Sequence, residues 1–340
     1  MSKWYQKCGP EGDVVISTRI RLARNLREFP FTARMNKSQR EEVDTRVKDA
    51  VLASNSAMAS MFECIDLTGF TKESLVSLVE HHLASPDLIS DPEKRGLVLS
   101  KDQEISIMIN EEDHLRIQVM KEGMQLEEAF TLADRVDTLL NERLNFAFDD
   151  ALGYLTQCPT NLGTGLRASL MMHLPGLQES GILGRMNANL NKLGFVLRGM
   201  YGEGTQAAGA IYQLSNQVTL GLSEKDALQN LAGIAGQIIR QEREARKRLA
   251  EDISVQDKIA RALGILRSAR MLNSGEFMNL ISYVRLGAAE GLCDEIALDT
   301  LHALIIEAQP ATLSCAAEKV LSPQERDIKR AELVRTVLKM

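Results

Sequence analysis

The sequence predicts an α+β protein: a mostly antiparallel sheet flanked by helices, followed by an all-helical C-terminal part. Two observations carry that prediction. Between residues 151 and 222, Gly-rich turns separate short segments such as Phe195-Val196-Leu197-Arg198-Gly199-Met200 and Ile211-Tyr212-Gln213-Leu214-Ser215-Asn216. No regular strand–helix alternation runs through them, which favours a mixed or antiparallel sheet over βαβ units. From 255 to 340 the apolar positions recur at helical spacing and strand signals nearly vanish. A boundary near 250 divides the chain into domains 1–250 and 251–340.

The elements follow in order. Val14-Val15-Ile16-Ser17 is a β-prone run. Residues 36–60 and 71–85 read as helices, the second opening at Thr71-x-x-Ser74 with Leu75, Leu78, Val79 and Leu83 on one face. Gly96–Ser100 and Glu104–Asn110 read as strands, and the alternation in the second predicts a half-buried strand with acidic residues at its end. Residues 125–148 form an amphipathic helix through Leu126, Ala129, Phe130, Ala133, Val136, Leu139 and Leu140. Ser223 starts a long helix to about Glu251, whose charged end, Arg240 to Asp252, reads as a solvated linker.

Composition excludes several classes. A formal charge of −6 over 340 residues argues against a general nucleic-acid binder, which needs a broad basic face. No apolar run reaches the roughly 20 residues that span a bilayer, and Met1–Lys7 lacks the apolar core of a signal peptide. Cys8, Cys64, Cys158, Cys293 and Cys315 are odd in number and widely spaced, so neither a disulfide framework nor a zinc site is expected. His81-His82 is a poor spacing for shared metal ligation. The expectation is a cytoplasmic protein with free thiols.

Chemistry concentrates in arginine-bearing stretches: Ser17-Thr18-Arg19-Ile20-Arg21, Asn110 to Arg116, Cys158 to Arg167, and Arg198 to Gly204. An arginine fork matches phosphate oxygens two at a time, and clustered forks repel unless a polyanion sits among them. Arg19 and Arg21 alternate on a strand and share a face, while Ile20 packs the other. No Gly-x-x-x-x-Gly-Lys-Ser/Thr occurs, and the two Gly-x-Gly fragments, at Gly163 and Gly202, lack the context of a dinucleotide fingerprint. The acidic run Glu111-Glu112-Asp113 lacks calcium-loop spacing and suits a guanidinium instead. Cys158, if close to several arginines, is expected as a thiolate.

Together, Ser17–Asn25, Asn110–Arg116, Cys158–Ser169 and Arg198–Gly204 resemble the phosphagen kinase (ATP:guanido phosphotransferase) family, most closely its bacterial protein-arginine-phosphorylating branch. The resemblance implies a phosphagen-kinase-like catalytic domain that moves the γ-phosphoryl group of ATP, with Mg²⁺, to arginine residues of proteins. It implies an ATP site lined by Ser17, Thr18, Arg19, Ile20, Arg21, His82, Arg116, Arg167, Ala168, Ser169, Leu170, Met171, Arg198, Gly199, Met200, Tyr201, Gly202 and Glu203. Glu112 and Glu203 would hold the substrate guanidinium, with Cys158 beside it and Glu112 favoured as base. Mg²⁺ would rest mainly on phosphates and water, with no protein metal site.

Two departures from the metabolic kinases point to the protein-directed branch. Those enzymes carry an N-terminal helical domain, whereas this chain reaches its first arginine motif by Arg19, and it adds the helical region after 250. There Ser322-Pro323-Gln324-Glu325 is a helix start leading into Arg326-Asp327-Ile328-Lys329-Arg330-Ala331, similar to an allosteric phosphoarginine-binding motif. Arg326 and Arg330 would share a face near a positive helix end. Implied partners are proteins with exposed arginines, an activator protein, Clp-type protease machinery in stress response and quality control, and a second copy of the chain; membrane and nucleic acid are not implied. Two rivals stay open: a kinase for free arginine or another small guanidine, and an inactive phosphoarginine-binding adaptor.

Overall fold

The computed structural model describes residues 2–52, 59–199 and 208–339. Its strands are β1 (Val15–Arg24), β2 (Phe62–Ile65), β3 (Gly96–Ser100), β4 (Ile105–Ile109), β5 (Leu115–Glu122), β6 (Phe148–Asp149), β7 (Gly153–Tyr154), β8 (Leu166–His173), β9 (Phe195–Gly199) and β10 (Ile211–Asn216). Eight of them form one sheet in the order β2-β3-β4-β5-β1-β8-β10-β9, and β6 pairs with β7 apart from it. Every pairing in the large sheet is antiparallel, one of the two arrangements, mixed or antiparallel, that the Gly-rich middle of the sequence favoured.

The helices are α1 (Lys37–Leu52), α2 (Lys72–Glu80), α3 (Pro86–Ile89), α4 (Leu126–Asn141), α5 (Pro175–Glu179), α6 (Leu183–Lys192), α7 (Glu224–Glu251), α8 (Ile253–Ser268), α9 (Ser274–Ala289), α10 (Leu298–Glu307), α11 (Pro310–Ala316) and α12 (Pro323–Val337). One face of the sheet presents Ile20, Leu22, Ile117, Val119, Leu170 and Leu214 to Ala129, Ala133 and Val136 of α4 and to Leu228, Leu231 and Ala235 of α7. Among the described residues, the other face is covered in patches, one of them Trp4 and Tyr5 over Met120. Leu97, Leu99 and Met108 pack under Leu75, Leu83 and Leu88. Met171 and Ile211 join a second core with Ile259, Phe277, Met278 and Ile281 of the C-terminal helices. Between these covers lies a trough.

The helices expected over 125–148 and 71–85 end early, at Asn141 and Glu80, and two expectations about burial change. The strand at 104–110 is buried along all of β4 rather than half-buried, because α2 and α3 roof its polar-looking side. The charged end of α7 is no solvated linker either: Glu242 and Arg246 have side chains with 0% exposure. Glu242 accepts hydrogen bonds from the Gly176 and Leu177 amides that open α5, both at 2.9 Å, and pairs with Arg246 Nε at 2.7 Å. A charged pair one helical turn apart can be buried when each member finds further partners. Composition alone does not reveal them.

Those partners tie the C-terminal helices to the sheet. Arg246 donates to the carbonyls of Asp13 (2.7 Å) and His173 (2.6 Å). Arg285 of α9 donates to Gly12 O (2.7 Å), Asp13 O (2.8 Å), His173 Nδ1 (2.8 Å) and His302 Nε2 (3.0 Å). Arginine donates only, so His173 Nδ1 accepts and its Nε2–H donates to Ser282 Oγ at 2.8 Å. Burial, reinforced by Arg285 and Arg246, holds His173 far below its ordinary pKa and therefore neutral.

Candidate active site

Strand register gathers the arginines. Residues opposite one another across an antiparallel pair share a face, as do positions two apart along a strand. Arg21 faces Arg167 on β8, Ala23 faces Arg116 on β5, Met171 faces Gln213, and Gln213 faces Arg198 on β9. Arg19, Arg21, Arg116, Arg167 and Arg198 therefore line one face, the trough.

The trough is charged and only partly satisfied from within. Arg19 donates to Gln213 Oε1 (2.6 Å) and, more weakly, to Ser169 Oγ (3.4 Å), both neutral acceptors. Burial, followed by repulsion from Arg116 and Arg167, pushes the Arg19 guanidinium down to about 10. Arg21 is lowered further, first by burial and then by Arg19, Arg116 and Arg167, and its Nε is buried without a hydrogen-bond partner among the described residues. Arg167 is lowered by burial and by Arg198 and Arg116. A row of mutually repelling guanidiniums is the electrostatic form of a polyanion site.

The acidic loop divides its labour. Glu111, whose side chain has 0% exposure, pairs with Arg116 at 2.6 Å and contacts Ser85. Asp113 accepts from Asn25 Nδ2 and from the Gln157 amide, both at 2.7 Å, so it joins the first arginine strand to the cysteine loop. His114 accepts the Leu26 amide at Nδ1 (2.9 Å), and its Nε2–H donates to Pro30 O (2.9 Å). Glu112 alone stays accessible, its side chain 34% exposed at 3.3 Å from Arg116. Asn161 donates to it at 3.4 Å.

The cysteine loop is held at several points. Thr156 Oγ1 donates to Cys158 O at 2.8 Å, and Thr219 Oγ1 lies 3.0 Å from Thr160 O and 2.7 Å from Leu162 O. Gly163, at φ +107°, brings its backbone so close to Thr219 that a Cβ would lie 2.2 Å from Thr219 O; only glycine fits there. Cys158 Sγ sits 3.0 Å from Thr160 Oγ1, and both it and Glu112 act electrostatically on Arg167. Glu112, Cys158 and the arginines thus share one site.

Other residues fall differently. Alternation sends Ile20, Ala168 and Leu170 into the opposite core, so their side chains cannot line the trough. Thr18 is spent on Gly123 O (2.6 Å) and the Gln125 amide (2.9 Å). Met171 belongs to the C-terminal helical core, while Ser17 and Ser169 lie on the arginine face and Gly199 ends β9. Met200, Tyr201, Gly202 and Glu203 lie outside the described residues. His82 is near Arg19: burial first, then that charge, lowers its pKa to about 3. Its carbonyl accepts from Gln118 Nε2 at 2.6 Å.

Gln213, Gln118 and Asn161 were not singled out in the sequence. The alternation of Ile211-Tyr212-Gln213 offered one signal, a polar residue on the arginine side of a strand. In the C-terminal motif, Arg330 and Ala331 are buried rather than surface-facing. Arg330 donates to Ala308 O (2.9 Å), Leu272 O (2.7 Å) and Asp327 (2.8 Å), so its fork is committed to the fold. Glu325 and Ser322 already cap the start of α12, occupying the positive helix end expected to attract a ligand anion.

Residues 42–245 match the ATP:guanido phosphotransferase C-terminal catalytic domain, and residues 252–340 match the protein-arginine kinase McsB C-terminal domain. The chain belongs to the ATP:guanido phosphotransferase family. It is 46% identical over 343 residues to a protein named protein-arginine kinase from Symbiobacterium thermophilum, covering 99% of this chain and 96% of that one. It is 42% identical over 341 residues to one of the same name from Clostridium acetobutylicum, covering all of both. Among solved structures, lombricine kinase superposes with a TM-score of 0.61 at 26% identity, over 69% of this chain and 68% of that one. A duplicated taurocyamine kinase from Schistosoma mansoni, at 24% identity and the same TM-score, covers 84% of this chain and 47% of its own and shares the fold. Among the described residues no helix is long and apolar enough to cross a membrane.

Proposed function

We propose that this chain is an ATP-dependent protein-arginine kinase, acting in the cytoplasm on exposed arginines of proteins. The observation that carries the reading is the arginine face with Glu112 at its rim, 3.3 Å from Arg116. In this reading the arginines take the triphosphate, and phosphoryl transfer then needs mainly alignment and charge neutralisation. A guanidinium nitrogen of the substrate attacks the γ-phosphorus, an N–P bond forms, and the P–O bond to ADP breaks. The proton displaced from that nitrogen passes to a carboxylate, because a guanidinium offers no free lone pair until it loses one. Glu112 is assigned this role because Glu111 and Asp113 are already committed to Arg116, Asn25 and Gln157. Glu203 belongs to the same proposal as the second guanidinium holder.

Mg²⁺ belongs to the same proposal, with phosphate oxygens and water as its main ligands. When bound, it would neutralise charge across the phosphates. The product exchanges a cation for an anion on the target, a mark that a regulator or protease partner of Clp type could read. An activator protein and a second copy of the chain belong to the same proposal. At α12, Arg326 and Asp327 are the half-buried residues offered to phosphoarginine; Arg326→Ala or Asp327→Ala should abolish its effect on activity while ATP still binds.

The test is incubation with ATP and either an unfolded arginine-rich protein or free arginine, followed by acid treatment. Acid-labile phosphate on the protein is expected. Label on free arginine alone would favour a small-guanidine kinase, and no label from folded protein would favour the adaptor.

A further inference from the structure

The C-terminal helices also reach the nucleotide side of the trough, through the turn that carries His82. That turn ends α2 and is unusual in its backbone: His82 has φ +59°, a left-handed conformation in which non-glycine residues need outside support. Two C-terminal helices supply it, α11 directly and α10 through Trp4 and Tyr5. Glu80, the last residue of α2, accepts from the Ala311 amide (2.9 Å), the Thr312 amide (2.7 Å) and Thr312 Oγ1 (2.8 Å), all at the start of α11. Trp4 and Tyr5 pack with Met120 and with Ile306 of α10. Gln6 holds Glu307 of the same helix at 3.2 Å. The rings of Tyr5 and Trp4 lie 5.6 Å from His81 and 5.9 Å from His82.

A further contact of the turn leads into the site. Gln118, which holds the His82 carbonyl, is opposite Arg21 in the sheet, and Met120 is opposite Arg19. Among the described residues Trp4 Nε1 and His82 Nε2 are both buried without hydrogen-bond partners, so packing rather than polar bonding fixes the ring of Trp4 against His82.

We propose that Glu80 and Trp4 are positioning residues of the nucleotide site, through which α11 and α10 set the placement of His82. The inference rests on the reading that His82 lines the ATP site. It makes the C-terminal helices part of the nucleotide site's support as well as a regulatory appendage, because a shift of α10 or α11 alters the Glu80–His82 turn directly.

The experiment uses the full chain with Glu80→Gln, Thr312→Val and His82→Ala variants. Gln at position 80 replaces one accepting oxygen by an NH₂ that faces donors, and Val at 312 removes a hydroxyl with little change of shape. Both should raise KM for ATP about fivefold, a coupling of ordinary size, with the loss confined mainly to KM. Thr312→Ser should restore the wild-type value. Amide exchange at residues 82 and 83 should quicken in Glu80→Gln, and the emission of Trp4, the one tryptophan of the chain, should shift.

Unchanged exchange and emission in both variants would overturn the inference, since the clamp would not be holding the turn. So would a loosened turn with unaltered KM, provided His82→Ala raises KM. If His82→Ala leaves KM for ATP untouched, the assignment of His82 to the nucleotide fails first and takes the inference with it. A rise in KM from Glu80→Gln that persists undiminished in the His82→Ala background would show a route that bypasses His82, and would also overturn it.

Discussion

Two groups of buried arginines in this chain are built on opposite principles. In the junction between sheet and C-terminal helices, Arg246 and Arg285 are satisfied by the carbonyls of Gly12, Asp13 and His173, by two neutral histidines, and by Glu242. In the trough, among the described residues, Arg19 finds only neutral acceptors and Arg21 Nε finds none. The difference separates arginines that hold a fold from arginines that await a ligand. A buried cation with its donors filled stabilises the arrangement around it, whereas one left open stores repulsion that an incoming anion relieves.

The largest expected effect concerns the trough's accessible carboxylate. Glu112→Gln should lower phosphoryl transfer by about 10²–10⁴-fold with unfolding unaltered, read as acid-labile phosphate per unit time. Transfer at the wild-type rate would remove Glu112 as the base.

Next comes the junction. Arg285→Met should cost about 3–5 kcal/mol of stability in denaturant unfolding, because it strands several buried acceptors at once. A loss under about 1 kcal/mol would mean that those bonds contribute little beyond their geometry.

Arg21→Met should do the reverse. ATP affinity should fall about tenfold or more, the scale of a lost charge-assisted bond, while the melting temperature without nucleotide holds or rises as repulsion with Arg19 and Arg167 is removed. A destabilised apo protein would place Arg21 with the structural arginines and blur the comparison.

The smallest effect is on pH dependence. Burial and Arg285 lower His302 from 6.5 to about 3. A depressed pKa means that the unfolded chain binds the proton first, so this stability is whole above 6.5 and drains as pH falls toward 3. His302→Gln, which can still accept from Arg285, should flatten the acid limb of stability by about one proton. An acid limb of the same slope would show that His302 does not drive it.

Much of the fold was legible. The β-run before Arg19, the antiparallel middle and the helical end all follow from periodicity and turn residues, which are local properties. The site was legible in part. Alternation alone puts Arg19 and Arg21 on one face, but bringing Arg116, Arg167 and Arg198 to that face needed the pairing register of distant strands. Glu242 and Arg246 looked like surface charges, and Arg330 like a ligand for an anion, because most of their partners are backbone groups, which leave no mark in a residue string.

By itself the sequence determined which residue types are present and at what spacing: the arginine-bearing stretches, the paired glutamates, the glycine that a close turn requires, and hence the family's chemistry. The tertiary structure decided which arginines are spent and which are open. That distinction depends on carbonyls and amides brought together from across the chain, and every residue carries the same backbone groups, so only their arrangement in space can tell one arginine from another.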